Sequence, residues 1–356
     1  MGLGSRARRA LVPLYQESAR RAHELRYLFV ELTLDCNLRC LHCGSDCTRD
    51  PDGPRLEPEV LLRVLRELRE HYDPHHLCLA LTGGEPLCYP ELFELGREIH
   101  RLEFPWGMVT NGQAWTPRTV ELAKGAAMGS VTVSVDGFAA AHDWLRGRPG
   151  AFERATRAVR LLLADRFWQA MDVVTCVHPR NLGELDELHD FLLDLGLGDW
   201  RLFVISPIGR AADLAELHLD RGQYRQLLDT VSRLRRRGAM RVSLSESGYQ
   251  GSTYELAVRD QYFFCRAGIN VAGIMANGDI LACPNIDRRF RQGNIHTDSF
   301  VDVWENRYQQ FRDRRWMKTG ECTDCAEWRM CQGGSFHLWD PVAGQTRLCH
   351  CKRFGL

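Results

Sequence analysis

The sequence carries no net charge, because Lys+Arg and Asp+Glu both number 46. No overall field therefore draws it to nucleic acid or to an anionic membrane, and neither partner is expected. It has no run approaching the ~20 apolar residues of a membrane span. Its Arg-rich first residues lack the apolar core of a secretory signal, so a cytoplasmic protein is expected. Disulfides are rare in that compartment, yet the 356 residues include 14 cysteines. Thiols in this number need a use other than crosslinking.

Ten of the cysteines fall at clustered spacings: 36, 40, 43, 265, 283, 322, 325, 331, 349 and 351. Metal or cluster ligation is the economical account. Cys47, Cys78, Cys88 and Cys176 lie outside these groups, and buried cysteine is a common small core residue. The first group reads Cys36-Asn-Leu-Arg-Cys40-Leu-His42-Cys43 and follows the apolar run Leu28–Leu34. A strand feeding such a loop can wrap three thiolates around one soft centre. Iron–sulfur clusters are held by thiolates, commonly four, so three leave one iron open to another ligand. Three close cysteines alone also fit a zinc knuckle or a set of reduced thiols.

The length suits about two domains at roughly 100–200 residues each. Residues 1–26 carry arginines between short apolar pieces and read as a surface extension, too short for a separate peptide-recognition domain. From residue 27 strand-like runs appear at 27–34, 77–81, 106–110, 131–135, 172–177 and 201–206. Helical stretches lie between them; Leu61, Leu65, Leu68 and Tyr72 form one stripe at helical spacing. Such alternation predicts parallel βα units, and at roughly 30 residues per unit 27–212 holds about six. Residues 213–258 read as a bridging helix, with a solvated face carrying Arg233, Arg235, Arg236 and Arg237, and a strand at 241–245 that leads away. A cysteine-rich module occupies 259–356.

The C-x3-C-x2-C spacing, with His42 before the third cysteine, resembles the radical S-adenosylmethionine (radical SAM) superfamily. Thr82-Gly83-Gly84-Glu85-Pro86, placed after the second strand, matches that family's methionine-binding segment. The resemblance implies an α/β fold, a partial (β/α)6 TIM-like barrel with its site at the C-terminal strand ends. It implies a [4Fe–4S] cluster on Cys36, Cys40 and Cys43, with S-adenosylmethionine on the open iron. His42, Gly83, Gly84, Glu85, Ser134 and Arg146 would then contact the cofactor, Arg146 through its carboxylate. Phe203–Ile205 would form a backbone shelf for adenine.

The C-terminal module runs Cys265-x12-Gly278-x4-Cys283, then Cys322-x2-Cys325-x5-Cys331, then Cys349-His-Cys351. This resembles the SPASM domain, an auxiliary-cluster extension of radical SAM enzymes. The resemblance assigns Cys322, Cys325, Cys331 and Cys349 to an outer auxiliary cluster. It assigns Cys265 and Cys283 to an inner one, whose next family cysteine is here Ser335. Its third thiolate is then either Cys351 or absent, so one or two auxiliary clusters are expected. Zinc also accepts C-x2-C pairs, which leaves a zinc ribbon open.

The implied activity is reductive cleavage of S-adenosylmethionine to a 5′-deoxyadenosyl radical that abstracts hydrogen from a peptide or protein substrate. An electron donor such as flavodoxin or ferredoxin would be a partner. The alternatives are a haem-precursor or other small-molecule radical SAM enzyme and, outside enzymes, a zinc-binding scaffold. Sulfatase-maturing relatives carry an aspartate where this chain has Pro284, which argues against that specialisation.

Overall fold

In the computed structural model, residues 3–245 and 248–356 are described. The first element is a helix, α1 (Leu3–Ala22). It lies on the C-terminal domain, where Arg9 Nη2 meets Glu327 Oε2 at 2.8 Å and Gln16 Nε2 donates to the Met330 carbonyl at 3.3 Å.

Six strands then follow, each separated from the next by helix: β1 (Tyr27–Thr33), β2 (Cys78–Gly83), β3 (Trp106–Thr110), β4 (Ser130–Ser134), β5 (Ala170–Val177) and β6 (Asp199–Val204). The helices are α2 (Pro58–His71), α3 (Leu92–Arg101), α4 (Pro117–Gly125), α5 (Ala139–Arg146), α6 (Ala151–Leu163) and α7 (Leu185–Asp194). Leu28, Val30 and Leu32 alternate along β1 into the same buried core as Leu61, Leu65 and Leu68 of α2. The period of two on the strand meets the period of 3.6 on the helix. Phe29, Glu31 and Thr33 are thereby turned to the opposite, concave side, the lumen of the half-barrel.

The strand at 241–245 does not lead away. As β7 (Arg241–Leu244) it pairs parallel with β6, from Asp199↔Arg241 to Leu202↔Leu244. The helix before it, α8 (Arg221–Arg237), buries Tyr224, Leu227, Leu228, Val231 and Leu234. It is a full crossover helix and carries its arginines on the other side. The parallel run thus extends to seven strands in chain order.

The cysteine-rich module is built onto the other edge of the same sheet. Its strand β8 (Val271–Ile274) pairs parallel with β1, and β9 (Asp279–Leu281) and β10 (Gly293–Asn294) extend the sheet antiparallel. The result is one ten-stranded sheet in the order β10-β9-β8-β1-β2-β3-β4-β5-β6-β7. Gly278 makes the β8–β9 turn at φ +83, where a Cβ would lie 2.5 Å from His296. That explains the glycine between Cys265 and Cys283.

Candidate active site and iron–sulfur ligands

The cysteine loop leaves β1 at its C-terminal end. Gly83 and Gly84 let the end of β2 press against its root: a Cβ on either would sit 2.2 Å from the Thr33 or Asp35 carbonyl. Gly84 N–H donates to the Thr33 carbonyl at 2.7 Å and Glu85 N–H to that of Asp35 at 3.0 Å. The two glycines therefore serve strand-to-strand approach at this site.

Glu85, 1% exposed, ties β2 to β3. Its carboxylate accepts from Thr110 Oγ1 at 2.6 Å, the Asn111 N–H at 2.7 Å and the Leu87 N–H at 3.4 Å. Burial raises its pKa and these donors oppose the rise. Asn111, thus held, points Nδ2 at Cys36 Sγ (3.8 Å) and at Asn37 Oδ1 (2.7 Å).

Arg146 closes the loop from the other side. Its Nε donates to Asp136 Oδ2 at 2.6 Å and its Nη1 reaches Cys40 Sγ at 3.8 Å. Burial alone would raise Asp136, but Arg146, His42 and His142 outweigh it and hold its carboxyl well below the usual range. Asp136 also accepts the Cys176 N–H at 2.8 Å, and its own N–H donates to His142 Nδ1 at 2.9 Å. Ser134 is buried at the end of β4, two residues before Asp136.

Two further contacts clasp the loop. Gly209 stands so close that a Cβ would lie 2.4 Å from the Cys43 carbonyl. Arg210 donates through Nε to the Cys40 carbonyl at 2.8 Å and through Nη1 to that of Cys47 at 3.0 Å. Leu41 packs on the apolar group of Leu145, Ile205, Ala211 and Leu217, so Ile205 contributes a side-chain anchor.

The thiols themselves form one buried patch of Cys36, Cys40 and Cys47 with Cys43 against it. Burial pushes Cys36 up to about 12 and raises Cys40, against which Arg146 acts. Cys43 is lowered, because its hydrogen bonding with Cys47 outweighs burial; the Cys47 N–H lies 3.3 Å from its sulfur. His42 Nδ1 is buried without a hydrogen-bond partner, and burial, aided by Arg146, lowers this ring to about 3. Sulfurs backed by amide and guanidinium donors, beside an unsatisfied neutral imidazole, fit a thiolate-bound iron–sulfur cluster. Among the described residues no three His, Cys, Asp or Glu converge as on a single metal ion. A four-iron cluster does not ask for convergence, since each thiolate takes a different iron.

In the C-terminal domain Cys322, Cys331, Cys349 and Cys351 line one small cavity. Cys325 belongs with them: burial raises Cys331 well above its ordinary value, and the neighbouring thiols Cys351, Cys349, Cys322 and Cys325 add to it. Cys351 is likewise pushed up to about 12 by burial and then by Cys349. Cys265 and Cys283 lie elsewhere, on a second cavity with Ser335 and His337. Cys351 therefore lies with the outer group and not beside Cys265 and Cys283. All 14 cysteines are outside disulfides.

Sequence reasoning placed Asn111 and Asp136 at strand ends without a role, gave none to Arg210, and set Cys47 aside as a core residue. Cys47 had a signal, its place four residues after Cys43. Arg210 had none, since its partners, the Cys40 and Cys47 carbonyls and the Asp46 carboxylate, are brought to it only by the chain turn after β6.

A radical SAM superfamily model matches residues 30–192. A SPASM model, an iron–sulfur cluster-binding domain, matches residues 265–326. The mycofactocin maturase MftC of Mycobacterium tuberculosis is 31% identical over 333 residues, covering 90% of this chain and 81% of that one. The AdoMet-dependent heme synthase of Methanosarcina barkeri is 27% identical over 320 residues, covering 85% and 89%. Streptococcus suis SuiB bound to S-adenosylmethionine shares the fold at TM-score 0.71 and 18% identity, over 94% of this chain and 80% of that one. With these motifs, this sheet and these relatives together, the chain belongs to the radical SAM superfamily and is an enzyme of that family carrying a C-terminal SPASM iron–sulfur domain.

Proposed function

We propose that the enzyme modifies a ribosomally made peptide. The observation that carries this reading is the 31% identity to the mycofactocin maturase, sustained over 90% of this chain. When bound, the four-iron cluster and S-adenosylmethionine supply an electron and a 5′-deoxyadenosyl group for hydrogen abstraction from an unactivated C–H bond.

Cys36, Cys40 and Cys43 would hold that cluster. The chain's other residues set its surroundings: Asn111 and Arg146 place N–H donors against two of the three sulfurs. Such donors stabilise thiolate charge and raise cluster potential. Glu85 and Asp136 are positioning residues, since each fixes a donor that touches a ligand. Leu41, Ile205 and Arg210 keep the loop seated and water out. Ser134, at the end of β4, would face the cofactor from the adjacent strand. A low-potential donor of the flavodoxin or ferredoxin kind would deliver the electron.

The heme-synthase relative, at 27% identity, supports a second reading in which a porphyrin side chain is the target. One experiment separates the two. Anaerobically reconstituted enzyme with dithionite should cleave S-adenosylmethionine to 5′-deoxyadenosine. Candidate short peptides encoded beside its gene should then change mass, while an iron porphyrin should not. Turnover of the porphyrin and of none of the peptides would replace the first reading with the second.

A further inference from the structure

The inner auxiliary site does not fit the cluster its family position implies. Cys265 and Cys283 line a cavity of ≈ 440 Å³ with Ser335 and His337. A four-iron cluster asks for about four thiolates, and this cavity offers two. The thiol that could have made up part of the deficit, Cys351, sits in the outer group with Cys322, Cys331 and Cys349. Its Sγ lies 3.5 Å from the Tyr249 carbonyl, which anchors it there. Ser335, 3% exposed, lines both cavities and occupies the family's remaining cysteine position. A serine hydroxyl is harder than a thiol and seldom ionised at neutral pH, so it binds iron poorly.

Other centres fit no better. A Rieske-type two-iron cluster uses two cysteines and two histidines, whereas His337 is the one imidazole lining the cavity. Its Nε2 is engaged 3.1 Å from Ser206 Oγ, on the segment after β6. Zinc requires four ligands in a structural site, and among the described residues no three candidates are placed for a single metal ion.

The cavity also opens onto the barrel. Phe29 of β1, Arg201 of β6 and Ser243 of β7 line it, and all three are on the lumen side of their strands. The space is a continuation of the half-barrel lumen. The outer group, in contrast, has four thiols on its small cavity and Cys325 beside Cys331, enough for a four-iron cluster with one to spare.

We infer that this SPASM domain holds a single auxiliary cluster, at the outer five-thiol group, and that Cys265 and Cys283 remain thiols on a lumen-connected cavity. The anaerobic holoenzyme should then contain about eight irons and about eight sulfides, two four-iron clusters in all. A Cys36/Cys40/Cys43→Ala variant should keep about four of each. Brief treatment of the native holoenzyme with N-ethylmaleimide, followed by peptide mapping, should tag Cys265 and Cys283 and spare four of the five outer thiols. Cys265→Ser/Cys283→Ser should leave iron content and the Mössbauer spectrum unchanged, as should His337→Ala.

About twelve irons in the wild type, iron lost with Cys265, Cys283 or His337, or protection of Cys265 and Cys283 from the maleimide would each overturn the inference. The wild-type iron count and the labelling need no variant, so a substituted protein that fails to fold does not blunt the test. No substrate enters any of these measurements, so they stand or fall apart from the proposed peptide chemistry.

Discussion

Asp136 is the residue on which the seating of the cysteine loop turns. It is fully buried, it orients Arg146 at 2.6 Å, and Arg146 in turn faces Cys40. The sequence made Arg146 legible as a cationic residue after a strand end, and resemblance sent it to the cofactor carboxylate. Two of its nitrogens face Asp136 and Cys40, a pairing that depends on how α5 folds back and that no spacing reveals. Removing one member of a buried ion pair strands the other, at about 3–5 kcal/mol. Asp136→Asn should therefore lower the unfolding free energy of the apoprotein, taken from urea titration, by an amount of that order. Arg146→Lys should cost less stability but, lacking the planar fork, should speed loss of the N-terminal iron to a chelator. Wild-type stability in Asp136→Asn would mean that the pair does not hold the loop.

At the scale of elements, the six alternating strands and the motif at each strand end were readable, because a parallel sheet writes its apolar runs and crossovers into the chain. Two things were not. The strand at 241–244 looked terminal because its helix is thick with arginine, while the buried stripe from Tyr224 to Leu234 marks a crossover. Cys351 could have gone to either cluster group, and its neighbours are set by packing of the last helical turn, His350–Phe354, with Phe354 stacked on Tyr224 at 3.8 Å. The glycine pair after β2 also meets a packing need that the motif does not announce. A Cβ at Gly84 would meet the Asp35 carbonyl at 2.2 Å, and backbone cannot rotate away as a side chain could. Gly84→Ala should push the root of the cysteine loop off β2, costing roughly 1–3 kcal/mol or more as overpacking does. Iron analysis after reconstitution should show the N-terminal share reduced and the C-terminal share intact. Full N-terminal loading in that variant would show that the loop tolerates the shift.

Across the whole molecule, the sheet runs unbroken from the auxiliary domain through the barrel, so acid that strains the strand-end layer acts on both. Two histidines sit wholly buried there, His142 and His178. His142 accepts the Asp136 N–H through Nδ1 and His178 accepts the Arg180 N–H, so each is held neutral. Burial lowers both to about 4. Asp136 opposes the shift at each ring, while Arg146 reinforces it for His142 and Arg180 for His178. In the unfolded chain both take up a proton near pH ~6.5. Below that pH the unfolded state therefore binds more protons than the folded one, and stability falls as pH drops from about 6.5 toward 4, having been complete above it. Each histidine contributes a slope of up to ~1.4 kcal/mol per pH unit. Urea midpoints of the apoprotein taken from pH 7.5 to 4.5 should fall through this window. His142→Gln/His178→Gln should flatten the fall by up to ~2.8 kcal/mol per pH unit, since glutamine can still accept the N–H but does not titrate. An unchanged slope in the double variant would place the acid sensitivity in other groups and leave these two rings as ordinary core residues.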